Sequence, residues 1–303
     1  MHSVNPMHDA QKMPPDVDAG LAWVRRLMVD SLGDTVLARL QFDFSRFLGG
    51  GKLLRARAAL RLAPVARVPA DALLRGAAAV ELVHGASLLH DDVIDGGLTR
   101  RGAPAFWTRY GAHGAILAGD ILLGKALNVL SLTREPDLIA DLAQAVAEVC
   151  SAESEQELLL RGQPSDWSTV LRLARQKTGP LFAFAALTAG NGDPALRAAL
   201  REAGYLAGTA YQLSDDVLDA VGDATAAGKT LGTDVTRAKG TAATARNGDT
   251  ADAVAGVGEL CATSLAQLDA WPEVRAAWAV YLDLDLGPAM ARNVHVVPPV
   301  TVP

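Results

Sequence analysis

The sequence predicts an all-α protein built as a multi-helix bundle. Apolar residues recur at spacings of three and four along most of the chain, with Ala, Leu and Arg between them, which is the pattern of amphipathic helices. Alternation of β-branched residues, the pattern of strands, is scarce. The chain has 303 residues, of which 50% are hydrophobic, so it is long enough to bury a core.

Clusters of Gly, Pro and Asp separate the predicted helices. In chain order, the helices are expected over residues 17–31, 34–47, 52–64, 69–95, 112–133, 136–162, 167–190, 194–221, 249–269 and 273–285. Segments 76–89 and 181–189 are apolar on nearly every face, so they predict central helices of the bundle. Residues 17–290 are expected to form a single domain, with disordered tails at 1–16 and 291–303.

Composition argues against several function classes. The net charge is −6 and no stretch concentrates Lys and Arg, so no nucleic-acid partner is expected. No stretch reaches 18 consecutive apolar residues and the first twenty residues lack an apolar signal segment, so we expect no membrane span and a cytoplasmic location.

Cys150 and Cys261 lie in apolar helical segments, and both are expected to be buried thiols of a reducing compartment.

Two acidic motifs of the form DDxxD stand at the ends of apolar helices. Asp91 and Asp95 are four residues apart, so their carboxylates share a helix face. Acids at a helix C-terminus oppose the macrodipole and repel one another, which favours a bound cation over a merely solvated helix end. Carboxylates are hard ligands that suit Mg²⁺, and phosphate oxygens of the substrate complete the coordination shell of this ion. The candidate metal ligands are Asp91, Asp92, Asp95, Asp215, Asp216 and Asp219.

Basic residues accompany these motifs. Lys52 and Arg55 follow three glycines, Arg100 and Arg101 follow the first acidic motif, and Lys229 follows the second. Each alone is typical of a solvated surface charge, but together they predict diphosphate binding, since Lys meets a diphosphate as a point charge and Arg as a fork.

The motifs taken in order resemble the trans-isoprenyl diphosphate synthase (polyprenyl synthetase) family. The resemblance covers about residues 34–241 and rests on GGGKLLR, ELVHGASLLHDDVIDGGLTRRGAP, ILAGD, RQKTGPLF, YQLSDDVLDAVGD, GKTLGTD and KGT. It implies an isoprenoid-synthase bundle around a deep central cavity, with the two acidic motifs facing each other. It also implies three Mg²⁺ ions, a homodimer, and the head-to-tail condensation of an allylic diphosphate with isopentenyl diphosphate.

The same resemblance implies a role for individual residues. The six aspartates would hold the Mg²⁺ ions that bind the allylic diphosphate. Further ligands of that diphosphate would be Arg100, Lys177 and Lys229, and those of isopentenyl diphosphate would be Lys52, Arg55, His84 and Arg101. Catalytic positions would be Lys177, Thr178 and Gln212, with Thr178 and Gln212 beside the developing carbocation. Supporting positions would be Asp120 and Asp234. Tyr211 matches an aromatic position of the family, and an ordinary core tyrosine is the alternative.

The segment KTGP bears on the carbocation. Pro180 cannot donate a hydrogen bond to the carbonyl of Gln176, so backbone carbonyls near Lys177 and Thr178 are candidates to face the cavity. A simple kink in a core helix is the alternative.

One motif departs from the family pattern. Where the family has GGKR.RP, this chain has Leu53 and Ala56 in place of a basic residue and the proline. We therefore expect an altered affinity for isopentenyl diphosphate.

Two small residues bear on product length. Ala86 and Ser87 precede Asp91 by five and four residues, or roughly 6 to 7.5 Å along a helix. In the family, bulky residues there accompany short products, so we expect a product longer than fifteen carbons. Roughly twenty-five to forty carbons is our prediction, and twenty carbons, the product of a geranylgeranyl diphosphate synthase, is the alternative.

Two other functions share part of this pattern. A class I terpene cyclase also ionises an allylic diphosphate with Mg²⁺, but it needs no isopentenyl diphosphate site. A regulatory synthase subunit would be expected to have lost metal ligands, whereas all six aspartates are present.

Overall fold

The computed structural model describes residues 12–190, 193–221 and 250–291. The long helices are α1 (Val17–Asp30), α4 (Ala70–Ile94), α5 (Phe106–Ser131), α6 (Pro136–Leu158), α7 (Trp167–Leu187), α8 (Pro194–Val221) and α9 (Thr250–Ala266). The shorter ones are α2 (Phe44–Gly49), α3 (Leu54–Arg61), α10 (Pro272–Tyr281) and α11 (Gly287–Ala291). The all-α prediction is confirmed. The predicted tails stay predictions, since residues 1–11 and 292–303 lie outside the described part.

Helix α4 is the central helix of the bundle. It packs closely on α5, and most of its side chains between Ala70 and Leu89 are buried. By length and composition α4 and α5 are both apolar enough to cross a membrane, but 83% of the apolar window of α4 is buried in the protein, against 39% for α5. Helix α4 therefore has the burial of a core helix, whereas α5 keeps an apolar face exposed.

Glycines let α7 and α8 approach more closely than side chains would allow. A Cβ at Gly208 would lie 2.8 Å from the Cα of Gly179, and one at Gly204 would lie 2.5 Å from the Cα of Ala183. Both distances are far inside van der Waals contact, so only glycine fits. This close packing fixes the distance between the two helices that carry Thr178 and Gln212.

The expected helix over 34–47 is wrong. The structure has a 3₁₀ turn at Val36–Arg39, an extended residue Leu40 and then α2. Thr35 and Asp43 each accept a hydrogen bond from a backbone N–H two or three residues on. These side-chain caps begin two short helices where the apolar spacing indicates one.

Other expected boundaries also differ from the structure, and the expected helix ends at 64, 190 and 269 lie three residues beyond Arg61, Leu187 and Ala266. The expected helix 52–64 begins only at Leu54, because Leu53 is left-handed (φ 49). Helix α5 begins at Phe106, six residues before the expected start, and continues across a non-helical Gly111. Helix α6 ends at Leu158, four residues before the expected 162. The expected helix 273–285 ends at Tyr281 and continues as a π-helical turn, Leu282–Leu286.

A short hairpin follows α4. Strands β1 (Thr99–Arg100) and β2 (Ala103–Pro104) are antiparallel, and Arg101 and Gly102 between them both have positive φ, 54 and 67. Two central residues with positive φ define the turn type that matches the twist of a two-residue hairpin. The turn therefore holds Arg100 and Arg101 in fixed directions beside the first acidic motif.

The two free cysteines differ in exposure. Cys261 is buried as expected, but the expectation for Cys150 is wrong, since it is exposed. Cys150 lies on an outer face of α6 together with the exposed residues Ala143, Ala147 and Ser154. Alanines do not distinguish a surface from a core, and the sequence pattern is therefore ambiguous there.

Candidate active site

Asp91 is half-buried on the last turn of α4. Burial, together with the nearby charges of Glu153 and Asp95 and against the opposing effect of Lys177 and Arg100, raises the pKa of its carboxyl to about 7. A carboxylate that is costly to ionise without a cation is a suitable ligand for a metal ion.

Arg100 is hydrogen-bonded to the first acidic motif. Its Nε and Nη2 donate to Oδ1 of Asp92 at 2.9 and 2.5 Å. Burial lowers the pKa of Arg100, but Asp92, Asp91 and Asp215 outweigh that effect and the net pKa is raised. Arg100 is therefore a permanent cation within electrostatic range of both motifs.

The buried carboxylate of Asp92 offers a direct test of whether a cation fits this site. Its Oδ2 is buried, and no donor among the described residues reaches that oxygen. A buried carboxylate oxygen normally has a hydrogen-bond partner or a metal ion. The oxygen chemistry of the motif fits Mg²⁺. Among the described residues, no three acidic, His or Cys side chains are grouped closely enough to hold a metal ion.

Lys177 lies beside Asp91 from the α7 side. Its Nζ is 2.9 Å from Oε1 of Glu153 and donates to Oε1 of Gln156 at 2.8 Å. Sequence reasoning missed both partners, because their spacing on α6 carries no motif. They keep the ammonium group at the acidic motif.

A chain of hydrogen bonds joins the candidate catalytic residues to the second motif. Thr178 donates from Oγ1 to Oε1 of Gln212 at 2.5 Å, and Gln212 donates from Nε2 to Oδ1 of Asp216 at 2.8 Å. The close packing of α7 on α8 makes this chain possible. The structure thus brings Thr178 and Gln212 together, as the sequence analysis expects.

The basic residues assigned to isopentenyl diphosphate form a second cluster. Burial and the charges of Arg55, Arg101 and Arg100 hold the pKa of His84 well below its usual value. Burial also lowers the pKa of Arg55 and Arg101. His84 is therefore a neutral hydrogen-bonding group among guanidinium cations.

Two aromatic rings support this basic cluster. Arg55 lies over the ring of Phe182 at 4.9 Å, and Lys52 lies 5.8 Å from the centroid of Tyr211. The two rings are 5.9 Å apart. Cation–π contacts hold a charge in place without neutralising it. Phe182 escaped the sequence analysis because it sits in a uniformly apolar run.

Glu81 is a further residue that the motifs did not identify. It is buried on α4, and its Oε1 accepts from the N–H of Ala56 at 2.9 Å. Burial raises the pKa of Glu81, while Arg55 and the N–H of Ala56 oppose that rise. The carboxylate therefore both caps α3 and faces Arg55. The sequence signal for this residue is that Glu81 is the single acid in the apolar segment 76–89.

Arg101 reaches the cluster from the hairpin turn. Its Nη1 donates to the carbonyl of Phe47, and its guanidinium lies so close to Gly51 that a Cβ there would collide with it. The glycine run before Lys52 thus makes room for Arg101.

Other assigned residues take different places. Asp120 is exposed and its Oδ1 lies 3.6 Å from Nε2 of His90. Ala86 is fully buried, whereas Ser87 is half-buried and its hydroxyl donates to the carbonyl of His84 at 2.9 Å. The side chains of Asp219, Lys229 and Asp234 lie outside the described residues.

The pKa of Asp91 predicts how stability depends on pH in metal-free protein. The folded state keeps a proton on Asp91 up to about pH 7, whereas the unfolded chain loses it near 3.8, so stability falls as pH rises between those values. Asp91→Asn is expected to flatten this dependence, measured as the melting temperature in EDTA. Asp137→Asn, at an exposed carboxylate on α6, should keep the wild-type slope. An unchanged slope in Asp91→Asn would contradict the prediction.

The family model and the relatives that match this chain all belong to one family of prenyl diphosphate synthases. The family model described as polyprenyl synthetase matches residues 42–255. A geranylgeranyl diphosphate synthase of Mycobacterium tuberculosis is 42% identical over 173 residues, which are 54% of this chain and 49% of that protein. A probable farnesyl diphosphate synthase of Sinorhizobium fredii is 34% identical over 73% of this chain and 71% of its own length. The chain thus spans about half the length of the first relative.

A solved structure is similar over nearly the whole chain. The polyprenyl synthase of Caulobacter crescentus, complexed with calcium and isoprenyl diphosphate, is 29% identical and has a TM-score of 0.69. The match covers 91% of this chain and 93% of that one.

Proposed function

Because the chain belongs to the polyprenyl synthetase family, we propose that it is an all-trans polyprenyl diphosphate synthase that condenses an allylic diphosphate head to tail with isopentenyl diphosphate. The observation that carries the proposal is the pair of neighbouring sites of opposite character. Arg100 donates hydrogen bonds to Asp92 and lies within electrostatic range of Asp91 and Asp215, while the cations Arg55 and Arg101 lie near the neutral His84. One diphosphate fits the first site with metal ions, and the other fits the second without them.

The six motif aspartates would hold Mg²⁺, with three ions as our proposal. When bound, the metal neutralises the allylic diphosphate and makes it a better leaving group. The calcium and isoprenyl diphosphate of the Caulobacter protein support a divalent ion at such a site.

The residues of the chain bind and orient the two substrates. Arg100 and Lys177, with Lys229, would bind the allylic diphosphate oxygens, and Lys52, Arg55, His84 and Arg101 the other diphosphate. In the reaction the allylic C–O bond breaks, a C–C bond to isopentenyl diphosphate forms, and one proton leaves. We assign that proton to the released diphosphate rather than to a protein base.

Thr178 and Gln212 would stabilise the allylic cation. The Thr178 hydroxyl donates a hydrogen bond to Gln212. The lone pairs of the hydroxyl oxygen can therefore face positive charge. A hydroxyl and an amide do so without the nucleophilicity of a carboxylate, and the cation is preserved for the incoming double bond.

The exposed face of α5 supports a homodimer. Ile116 and Leu127 are exposed and eleven residues apart, about three helical turns, so they share one face of the helix, with Leu117 beside them. Exposed apolar patches of this kind mark interfaces between proteins.

Leu117→Glu is expected to shift the protein from dimer to monomer, because a charge would be buried at the interface. Sedimentation or light scattering measures the mass. Leu284→Glu, at an exposed leucine in the π-helical turn, is the matched control and should remain dimeric. A dimeric Leu117→Glu protein would contradict this face as the interface.

A cytoplasmic location remains part of the proposal. The free thiols of Cys150 and Cys261 suit a reducing compartment.

Mass spectrometry of reaction products tests the proposed function. Purified protein would be supplied with Mg²⁺, isopentenyl diphosphate and one primer at a time: dimethylallyl, geranyl or farnesyl diphosphate. A ladder that ends at one dominant length is expected. A cyclic hydrocarbon in place of elongation would favour the terpene cyclase, and elongation only after a partner is added would favour a subunit role. A dominant twenty-carbon product would identify the geranylgeranyl diphosphate synthase alternative.

A further inference from the structure

A buried carboxylate joins the C-terminal segment to the basic cluster. Asp285 lies in the π-helical turn, and its side chain is only 3% exposed. Its Oδ1 accepts from Nη1 of Arg57 at 3.0 Å and its Oδ2 from Nε of Arg61 at 2.7 Å. Both arginines lie on α3, the helix that also carries Arg55. A carboxylate this deeply buried is tolerated as an ion only with such partners.

Arg57 extends this connection to Lys52. Its Nε donates to the backbone carbonyl of Lys52 at 3.0 Å. The Lys52 ammonium in turn donates to the carbonyl of Ala289 at 3.2 Å. The C-terminal segment therefore holds both ends of Lys52, its main chain through Arg57 and its side chain directly.

The backbone beside Lys52 needs such support. Leu53 is left-handed (φ 49), a conformation that costs free energy for a side chain of this size and persists only where its surroundings impose it. Leu53 also stands where the family has a second basic residue. The position of the remaining Lys52 ammonium therefore matters more in this chain.

We propose that Asp285 is a positioning residue for isopentenyl diphosphate, acting through Arg57 on Lys52. The inference rests on the proposed function, which assigns Lys52 to that substrate. Asp285 does not itself touch the substrate. It fixes the C-terminal segment against α3, and this contact sets the place of the ammonium.

Arg61 provides an internal comparison. It shares the carboxylate of Asp285 with Arg57 and is similarly buried, with 24% of its side chain exposed against 26% for Arg57. Within the described residues it makes no hydrogen bond to Lys52. An effect that arises only from stability would be similar in Arg57 and Arg61 variants, whereas an effect on Lys52 would be specific to Arg57.

The test compares full-length Asp285→Asn, Arg57→Gln and Arg61→Gln proteins. Calorimetry measures the binding of isopentenyl diphosphate in EDTA, and kinetics with Mg²⁺ give KM for each substrate. Asp285→Asn and Arg57→Gln are each expected to weaken that binding about tenfold, as for a displaced charged contact. Both variants should also raise KM for isopentenyl diphosphate by a similar factor. KM for the allylic primer should change less than about twofold, and Arg61→Gln should weaken binding less than about threefold.

Several outcomes would overturn the proposal. One is equal weakening by Arg57→Gln and Arg61→Gln; another is unchanged binding in Asp285→Asn. If Asp285→Asn fails to fold, the comparison of the two arginine variants still decides. Wild-type protein that binds isopentenyl diphosphate in EDTA but never elongates would count against the proposed function alone, since the binding comparison remains valid. Wild-type protein that does not bind it would overturn both.

Discussion

Asp91→Asn protein is expected to turn over at least about a thousandfold more slowly than the wild type, which corresponds to about 4 kcal/mol of lost transition-state stabilisation. The substitution keeps the shape of the side chain but removes the charge of a proposed metal ligand. Lys177 and Arg100, which lie near Asp91, cannot replace it, because they are cations themselves. Asp215→Asn in the second motif is expected to give a loss of the same order.

The binding of the second substrate separates this effect from misfolding. The cluster of Arg55, His84 and Arg101 contains no metal ligand, so Asp91→Asn should bind isopentenyl diphosphate in EDTA as tightly as the wild type. The exposed control Asp137→Asn should keep normal turnover. Turnover within about tenfold of the wild type in both Asp91→Asn and Asp215→Asn would refute the assignment of the acidic motifs to metal.

Ser87→Phe is expected to shorten the dominant product to fifteen carbons or fewer. Ser87 lies one helical turn before Asp91, about 6 Å below it, and it is half-buried on the same face of α4. A phenyl ring there would block a prenyl tail within its first isoprene units. Mass spectrometry of the product ladder measures the change, and total turnover should remain within about tenfold, because no diphosphate ligand is altered.

Ala86→Phe is the informative comparison for that experiment. Ala86 is completely buried, so a ring at this position must enter packed core and is expected to destabilise the protein by about 1–3 kcal/mol or more. Its melting temperature should fall, whereas that of Ser87→Phe should change little. An unchanged product length in Ser87→Phe would refute a floor at this level of the helix.

Long periodic helices were predictable to within a few residues. The expected helix 69–95 is α4 and the expected helix 194–221 is α8, because many apolar positions repeat the same spacing. The helices in region 34–47 were not predictable in this way, because single side chains such as Asp43 determine where a helix begins. Apolar spacing alone contains no information on such caps.

The acidic motifs were predictable for a related reason. Asp91 and Asp95 share a helix face whatever the rest of the fold does. The contact of Arg100 with Asp92 depends instead on a two-residue turn, and Glu81 meets α3 only through tertiary packing. Residues that meet across helices leave no local pattern in the sequence. The contacts of the motif residues with other helices were therefore not predictable from the sequence.

The glycines between α7 and α8 place a limit on how this protein can diverge. Gly208 lies against Gly179, next to the residue that reaches Gln212. A methyl group at Gly208 would collide with the backbone of Gly179, separate the helices and lengthen the Thr178–Gln212 contact, although neither glycine is itself assigned to a substrate. New specificities are therefore more accessible through residues away from this seam, where one added methyl group would change the spacing between Thr178 and Gln212.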